Sequence, residues 1–586
     1  MLDSKRKRIV KRNATFRLMD NIVYFIFTIV VNYFILVFFN PEYAGLYATI
    51  TSLTIIFFSL VTGVLQYYGQ KIYKPLEEGN KKQLSIIFWS TDRDLKNMAV
   101  ISFAVGLIFA LIYSALTYGN SIFGFGEIVL YFVIFYISRI ASISTVGKYW
   151  ILFMGDEKMY LTAIANTTTT LILFVSSYFL LSTGMFWAFL FVYMIRTVVL
   201  YTIFRFMFFK LGYATYIKSD FKYRHYLPKM INKNFTNFYL LLKSKITKKE
   251  VEYKVIENDF YIKENLKNSR FSIFHSFSNN VLTMIPLVLI PIFVTQEGNA
   301  LNALYGYYYV FYALVSSFIL STLETSVGPT IGRIGKEGKL SENIVSGFLN
   351  IFMFIALSAS IIYVIVTPYM VNSIYGSNWT GSEGVVHYAL SLVMALSIFT
   401  YFGKRYFIML TNSLGKFKET IKNTFFELSL YILLIILVPL TLYLTNVDDF
   451  IILISFPIVA SISYFVRSIL ESRYILFKNH DFKLSSYYKE IWFYAISIIL
   501  IISFALVANY TGFMAYINIY SPLSNIFINI ALIIGFALVL FFIYKKFISK
   551  IIKKETSTES NIKKLDSSEE ELMKNEAVLE NEETIL

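Results

Sequence analysis

Residues 210–268 read KLGYATYIKSDFKYRHYLPKMINKNFTNFYLLLKSKITKKEVEYKVIENDFYIKENLKN. This is the long polar interruption between a basic amino-terminal cluster and an acidic tail, and it is crowded with cations: Lys218, Lys222, Arg224, Lys229, Lys233, Lys243, Lys245, Lys248 and Lys249. On both sides of it the apolar residues come in blocks of about twenty, the length a helix needs to cross a ~30 Å hydrocarbon core. Six such blocks precede the stretch and about eight follow it.

The composition agrees. Of 586 residues, 56% are hydrophobic and only 16% charged, against roughly 25% charged in a typical soluble domain. The alternating ten-residue segments of a transmembrane β-barrel are absent. The expected fold is therefore an all-α polytopic membrane protein of about 14 transmembrane helices. The net charge of +15 does not point to nucleic acid, because the cations gather in alternate connections, as membrane orientation requires. The chain has no cysteine, which excludes disulfides and thiolate metal sites. Its richness in Lys, Ile, Asn, Phe and Tyr suggests an AT-rich bacterial genome. The cluster Lys5, Arg6, Lys7, Arg8, Lys11 and Arg12 opens like a signal peptide. The run behind it is too long and lacks a small-residue cleavage site, so a retained first span is expected.

The expected spans are 15–38, 43–66, 97–117, 127–150, 160–183 and 185–209, then 270–294, 299–323, 346–370, 384–410, 420–444, 448–474, 490–510 and 524–546. Connections on one side hold Lys71, Lys74, Lys81, Lys82 and Arg93; Lys158; the central stretch; Arg333, Lys336 and Lys339; Lys416 and Lys418; Lys478, Lys483 and Lys489; and Lys545, Lys546 and Lys550. The intervening connections, Asn40–Tyr43, Tyr118–Glu127, Ser182–Gly184, Gln296–Ala300, Asn372–Gly384, Asn446–Asp449 and Ala508–Ser521, contain neither Lys nor Arg. Both termini are then expected in the cytoplasm, with the chain in the cell membrane. Residues 67–95, polar with Ile86, Ile87, Phe88 and Trp89 interspersed, read as a short interfacial helix. Residues 551–586 read as an acidic, disordered tail.

The two sides of the central stretch echo one another. Asn120-Ser121-Ile122-Phe123-Gly124 matches Asn372-Ser373-Ile374-Tyr375-Gly376; Gly147-Lys148-Tyr149 matches Gly403-Lys404-Arg405-Tyr406; and Gly155 with Lys158 matches Gly415 with Lys418. The matches keep their order at an offset of about 250. They divide the chain into an N-lobe (1–209), a basic loop (210–269), a C-lobe (270–477), two extra helices (478–550) and the tail. Six helices per lobe is an even number, so the repeat is parallel, about an axis along the membrane normal. Helix one should then face seven across a central cleft, and two should face eight.

Two six-helix lobes, the turn Tyr43-Ala44-Gly45-Leu46-Tyr47 into the second helix, and paired extra helices resemble the multidrug/oligosaccharidyl-lipid/polysaccharide exporter superfamily. Within it the pattern is similar to the polysaccharide-transporter branch, the O-antigen-type and lipid II-type flippases. The resemblance covers about residues 8–550; the long central loop and the tail exceed the family's usual size.

No catalytic pattern is present. His225, His275, His387 and His480 are scattered, and neither a His-Glu-x-x-His zinc motif nor a phosphate-binding Walker loop occurs. No cofactor and no enzymatic activity are expected. What remains is charge inside spans, which is costly there and hence a functional signal. Arg139 and Arg196 lie mid-span, as half of a structural ion pair or facing a cavity. Arg17, Arg270, Lys148, Lys404 and Arg405 lie nearer the cytoplasmic ends, as topology anchors or as diphosphate-binding cations at a cleft mouth. Asp20 and Glu427 are ion-coupling candidates, although Asp20 also suits an i,i+3 pair with Arg17. Tyr305, Tyr308, Tyr309 and Tyr312 offer faces for packing or for sugar.

The resemblance implies a flippase moving an oligosaccharide on a polyprenyl diphosphate by rocking of the lobes, for cell-surface polysaccharide biosynthesis. Its partners are then the lipid-linked oligosaccharide, membrane lipids and polysaccharide-assembly proteins, with no nucleic acid. The rivals are a cation-coupled multidrug and toxic-compound extrusion antiporter, which usually stops at twelve helices, and a membrane-embedded glycosyltransferase or polymerase.

Overall fold

A computed structural model describes residues 4–72, 75–76, 78–156, 158–217, 259–294, 298–316, 320, 342–376, 379, 387–413, 417–474, 495–503 and 506. The described regular structure is helical, with no strand. In the first half α1 is Ser4–Phe38, α2 Pro41–Lys71, α3 Lys81–Thr117, α4 Phe125–Gly155, α5 Met159–Ser182 and α6 Phe186–Lys210. In the second, α7 is Asp259–Met284, α8 Pro286–Phe293, α9 Gly298–Leu314, α10 Glu342–Tyr375, α11 Tyr388–Ser413, α12 Phe417–Leu444 and α13 Asp449–Arg473. Ten of these are long and apolar enough to span a membrane, and α7 with α8 forms an eleventh, bent by 42°. The protein is a multi-pass membrane protein. Of the two expected carboxy-terminal spans, only 495–503 and residue 506 are described, both helical. The rest of them, most of the basic loop and the acidic tail lie outside the described residues.

Helix starts follow local chemistry. Asn40 Oδ1 accepts from the Tyr43 amide at 3.2 Å, ahead of Pro41 at the first helical position. Asn80 does the same for α3 through the Gln83 amide, 3.1 Å, and Asp448 for α13 through the Phe450 amide, 2.7 Å. Gly184 turns α5 into α6 with φ +75°, a conformation glycine adopts freely.

One expectation fails. Residues 81–95 are not a separate interfacial helix but the first turns of the 37-residue α3. The charges at the 92–94 end of this stretch are buried rather than interfacial. Asp92, Arg93 and Asp94 are 2%, 4% and 2% exposed. Asp92 meets Lys148 of α4 at 2.9 Å and Lys96 at 2.8 Å. Arg93 meets Asp94 at 2.7 Å, and the Tyr68 hydroxyl of α2 donates to Asp94 at 2.5 Å. Paired charges need no contact with water, so the helix runs on through them. The helix of the seventh span begins at Asp259, inside the expected loop, while its apolar part begins at Ile273, close to the expected 270.

The repeat is visible as recurring helix neighbours. In the first half α1 packs on α5, α4 on α6, α3 on α4, α5 on α6, and α2 on both α3 and α4. In the second half α7 packs on α12, α11 on α13, α10 on α11, α12 on α13, and α9 on both α10 and α11. Position by position these are the same pairings. The halves meet mainly along α2, which runs against both α7 and α9; α1 packs on α9. The expected pairing of helix two with eight is therefore present, whereas helix seven lies on two. A Cβ at Gly45 would overlap the Asn299 backbone, and one at Gly63 the Ile273 backbone, so these glycines let α2 approach its partners this closely.

Candidate functional site

Each half carries a polar cluster among its spans, and the two differ in charge and access. In the first half Asp20 of α1 accepts from the Thr167 hydroxyl of α5 at 3.3 Å and is bonded by the Asn166 side chain. Arg196 of α6 donates from Nε to Thr169 Oγ1 at 3.5 Å. The Arg139 guanidinium of α4 lies 4.9 Å from the Tyr193 ring centre and 5.2 Å from that of Phe135, and Tyr24 of α1 is hydrogen-bonded to it. The Tyr47 and Tyr193 hydroxyls share a 2.7 Å hydrogen bond behind it. Among the described residues no carboxylate lies within ion-pairing distance of Arg139 or Arg196. Asp20, Arg139 and Arg196 are all partly exposed, and Arg17 is exposed at the edge. Two guanidiniums thus lie near one carboxylate, and their like charges repel.

The second half seals its charges. Lys404 of α11 meets Glu427 of α12 at 2.7 Å, and Arg467 of α13 lies 3.9 Å from the same carboxylate. Arg467 is also paired with Glu471 one turn on, and Thr411 donates to Glu471 at 3.4 Å. The side chains are 1%, 2%, 1% and 0% exposed for Lys404, Glu427, Arg467 and Glu471. The Tyr464 ring lies 4.7 Å from the Lys404 ammonium. Two cations face two carboxylates, and the group is neutral as a whole.

The residues singled out in the sequence are therefore distributed rather than convergent. Arg139, Arg196, Asp20 and Arg17 come together. Lys404 and Glu427 become one buried pair, Lys148 is tied to Asp92, Arg405 is half-buried beside Lys404 on α11, and Arg270 is exposed on α7. Sequence reasoning missed Glu471, although its i,i+4 spacing from Arg467 was there to read. It also missed the Asp92-Arg93-Asp94 run, whose partners include Lys148 and Tyr68 on other helices. Outside the spans, Asp156 accepts from the Tyr213 hydroxyl and meets Lys158 at 2.7 Å. Burial first, then the hydrogen bond to Asp156, pushes the Tyr213 hydroxyl well above the usual phenol range, keeping it a donor.

No family model and no curated protein matches the sequence. Solved structures do. A multidrug resistance MATE family transporter of the MOP superfamily, in an inward-facing conformation, superposes with TM-score 0.54 at 12% identity over 78% of this chain and 96% of that one. A variant of the Vibrio cholerae MATE transporter VcmN gives 0.49 at 14% identity over 80% and 98%. The lipid II flippase MurJ, inward closed, gives 0.42 at 13% identity over 87% and 98%. The chain has the fold of the MATE family transporter that it matches at 0.54.

Proposed function

We propose that this protein is an alternating-access transporter that flips an anionic, lipid-linked oligosaccharide, a polyprenyl-diphosphate glycan, across the cell membrane. The observation that carries the reading is the Arg139–Arg196 pair, two half-buried arginines among the spans with, among the described residues, no carboxylate in ion-pairing reach. A diphosphate supplies the missing negative charge, and each guanidinium offers it a forked pair of donors. Arg17 and Arg270 meet the headgroup at the edge of the cleft, and the polyprenyl tail stays in hydrocarbon. Asp20, held by Asn166 and Thr167 beside Arg196, is the coupling carboxylate. A proton or cation arriving there frees Arg196 from its nearest counter-charge and strengthens its hold on phosphate. The sealed Lys404–Glu427–Arg467–Glu471 group keeps the second half rigid during rocking.

A second reading, cation-coupled extrusion of drugs, is favoured by one observation: the fold is shared with a multidrug transporter. Reconstitution separates the two. Proteoliposomes are given a fluorescent polyprenyl-diphosphate glycolipid, with an impermeant quencher outside, and in parallel a fluorescent organic cation. Protein-dependent glycolipid flipping supports the proposal. Cation movement without flipping replaces it with the second reading.

A further inference from the structure

The bent span α7–α8 carries two prolines with a shared consequence. Proline has no N–H, so the carbonyl four residues before it loses its intrahelical donor. Before Pro286 that carbonyl is Leu282; before Pro291 it is Leu287. Both are met from other helices. The Tyr464 hydroxyl of α13 donates to Leu282 at 3.3 Å, within the same half. Leu287 is met from both halves: Thr49 Oγ1 of α2 donates at 3.0 Å and Asn302 Nδ2 of α9 at 2.9 Å. The same Asn302 amide lies 2.8 Å from Thr49 Oγ1 and 3.1 Å from the Gly45 carbonyl. Thr49 and Asn302 are fully buried. Around them the Gly45 backbone lies against Asn299, whose amide reaches Ser121 at 3.4 Å. The contacts of Gly45, Thr49, Asn299 and Asn302 sit at the ends of α2 and α9 beside the connections that lack Lys and Arg.

We propose that the Leu287 carbonyl, freed by Pro291, is the acceptor on which the two halves latch at the Lys/Arg-poor face. The inference rests on the two-state transporter reading above. With that face closed, Thr49 and Asn302 both bond the carbonyl; with it open, Asn302, of the same half, stays on it and water in the cleft takes the place of Thr49. In between, the carbonyl has lost Thr49, and Gly45 and Thr49 have lost the Asn302 amide, before water reaches them. The latch therefore disfavours half-open arrangements and gives the switch two ends rather than a continuum.

The cysteine-free chain allows a direct test. Spin labels on Tyr118→Cys and Leu444→Cys, both exposed and on opposite halves, report the separation of the halves at this face by pulsed electron resonance in lipid nanodiscs. Thr49→Val with Asn302→Leu keeps shape but removes both donors, and should raise the open-to-closed ratio about tenfold. Thr49→Val alone removes the donor contributed by the first half and should shift the ratio in the same direction. Adding Pro291→Ala returns an N–H to Leu287 and should reverse most of the shift. Gly45→Ala, which keeps every donor but puts a Cβ on Asn299, should also open the face, and Pro291→Ala should not reverse it. Donor removal without a shift overturns the latch, and so does a shift that Pro291→Ala fails to reverse or reverses equally for Gly45→Ala. A wild-type chain with a single distance under every condition, substrate and ion gradient included, overturns the two-state reading and the latch with it.

Discussion

The Lys404 ammonium lies 2.7 Å from Oε1 of Glu427, and the two side chains are 1% and 2% exposed. The pair ties α11 to α12 in a space that admits no water to replace either partner, so its loss should be felt in stability before transport.

Removing one partner strands the other. Lys404→Met should destabilise the protein by about 3–5 kcal/mol, and Glu427→Gln by a similar amount; the double variant should recover much of the loss. Melting temperatures in detergent check this. Equal melting of the single variants and the wild type would mean that the pair contributes nothing to the fold.

Arg139 and Arg196 should behave in the opposite way. Neither removal strands an ion-paired carboxylate, so Arg139→Ala and Arg196→Ala should reach the membrane at wild-type abundance. Each should lose glycolipid flipping at least about tenfold, in keeping with the loss of a charge-assisted contact to phosphate. Arg139→Lys should recover flipping only in part, because an ammonium keeps the charge without the fork. Normal flipping by a fully expressed Arg139→Ala protein removes that residue from the substrate site.

Asp20→Asn should separate coupling from binding. Flipping down the substrate's own gradient should persist in the variant, while the acceleration given by an imposed proton or sodium gradient should vanish. The readout is the same quencher assay with and without each gradient. An undiminished response in the variant assigns coupling elsewhere.

Orientation can be read with single cysteines. Thr183→Cys, in a connection free of Lys and Arg, should react with an impermeant thiol reagent in intact cells. Lys81→Cys, at the start of α3, should react only after permeabilisation. The reverse pattern would invert the expected topology.

Most of the spans were legible because about twenty apolar residues in a row admit few other readings, and the alternation of Lys and Arg kept their count in register. The repetition of the halves was legible through weak matches such as Gly147-Lys148 with Gly403-Lys404, whereas the packing of helix seven on two was not. The start of α3 was not. Asp92 is polar in any local window, and its burial rests on Lys148 of another helix together with Lys96 of its own. Glu427 was visible as a charge inside a span, yet its role depends on Lys404, which no local pattern connects to it. Arg139 and Arg196 were legible as mid-span cations. That they lie near Asp20 is a property of how α1, α4, α5 and α6 pack, and it became visible only in three dimensions.

The two glycines of α2 have a mechanical consequence. A helix seated on neighbouring backbone at both Gly45 and Gly63 cannot roll about its own axis without collision, so its remaining freedom is to tilt. Held at Gly63 and released at Gly45, it becomes a lever arm about 27 Å long, at the helical rise of 1.5 Å per residue. A tilt of about 15° would swing the free end by about 7 Å, which on the proposed function is wide enough for a sugar ring to pass while the fulcrum stays shut.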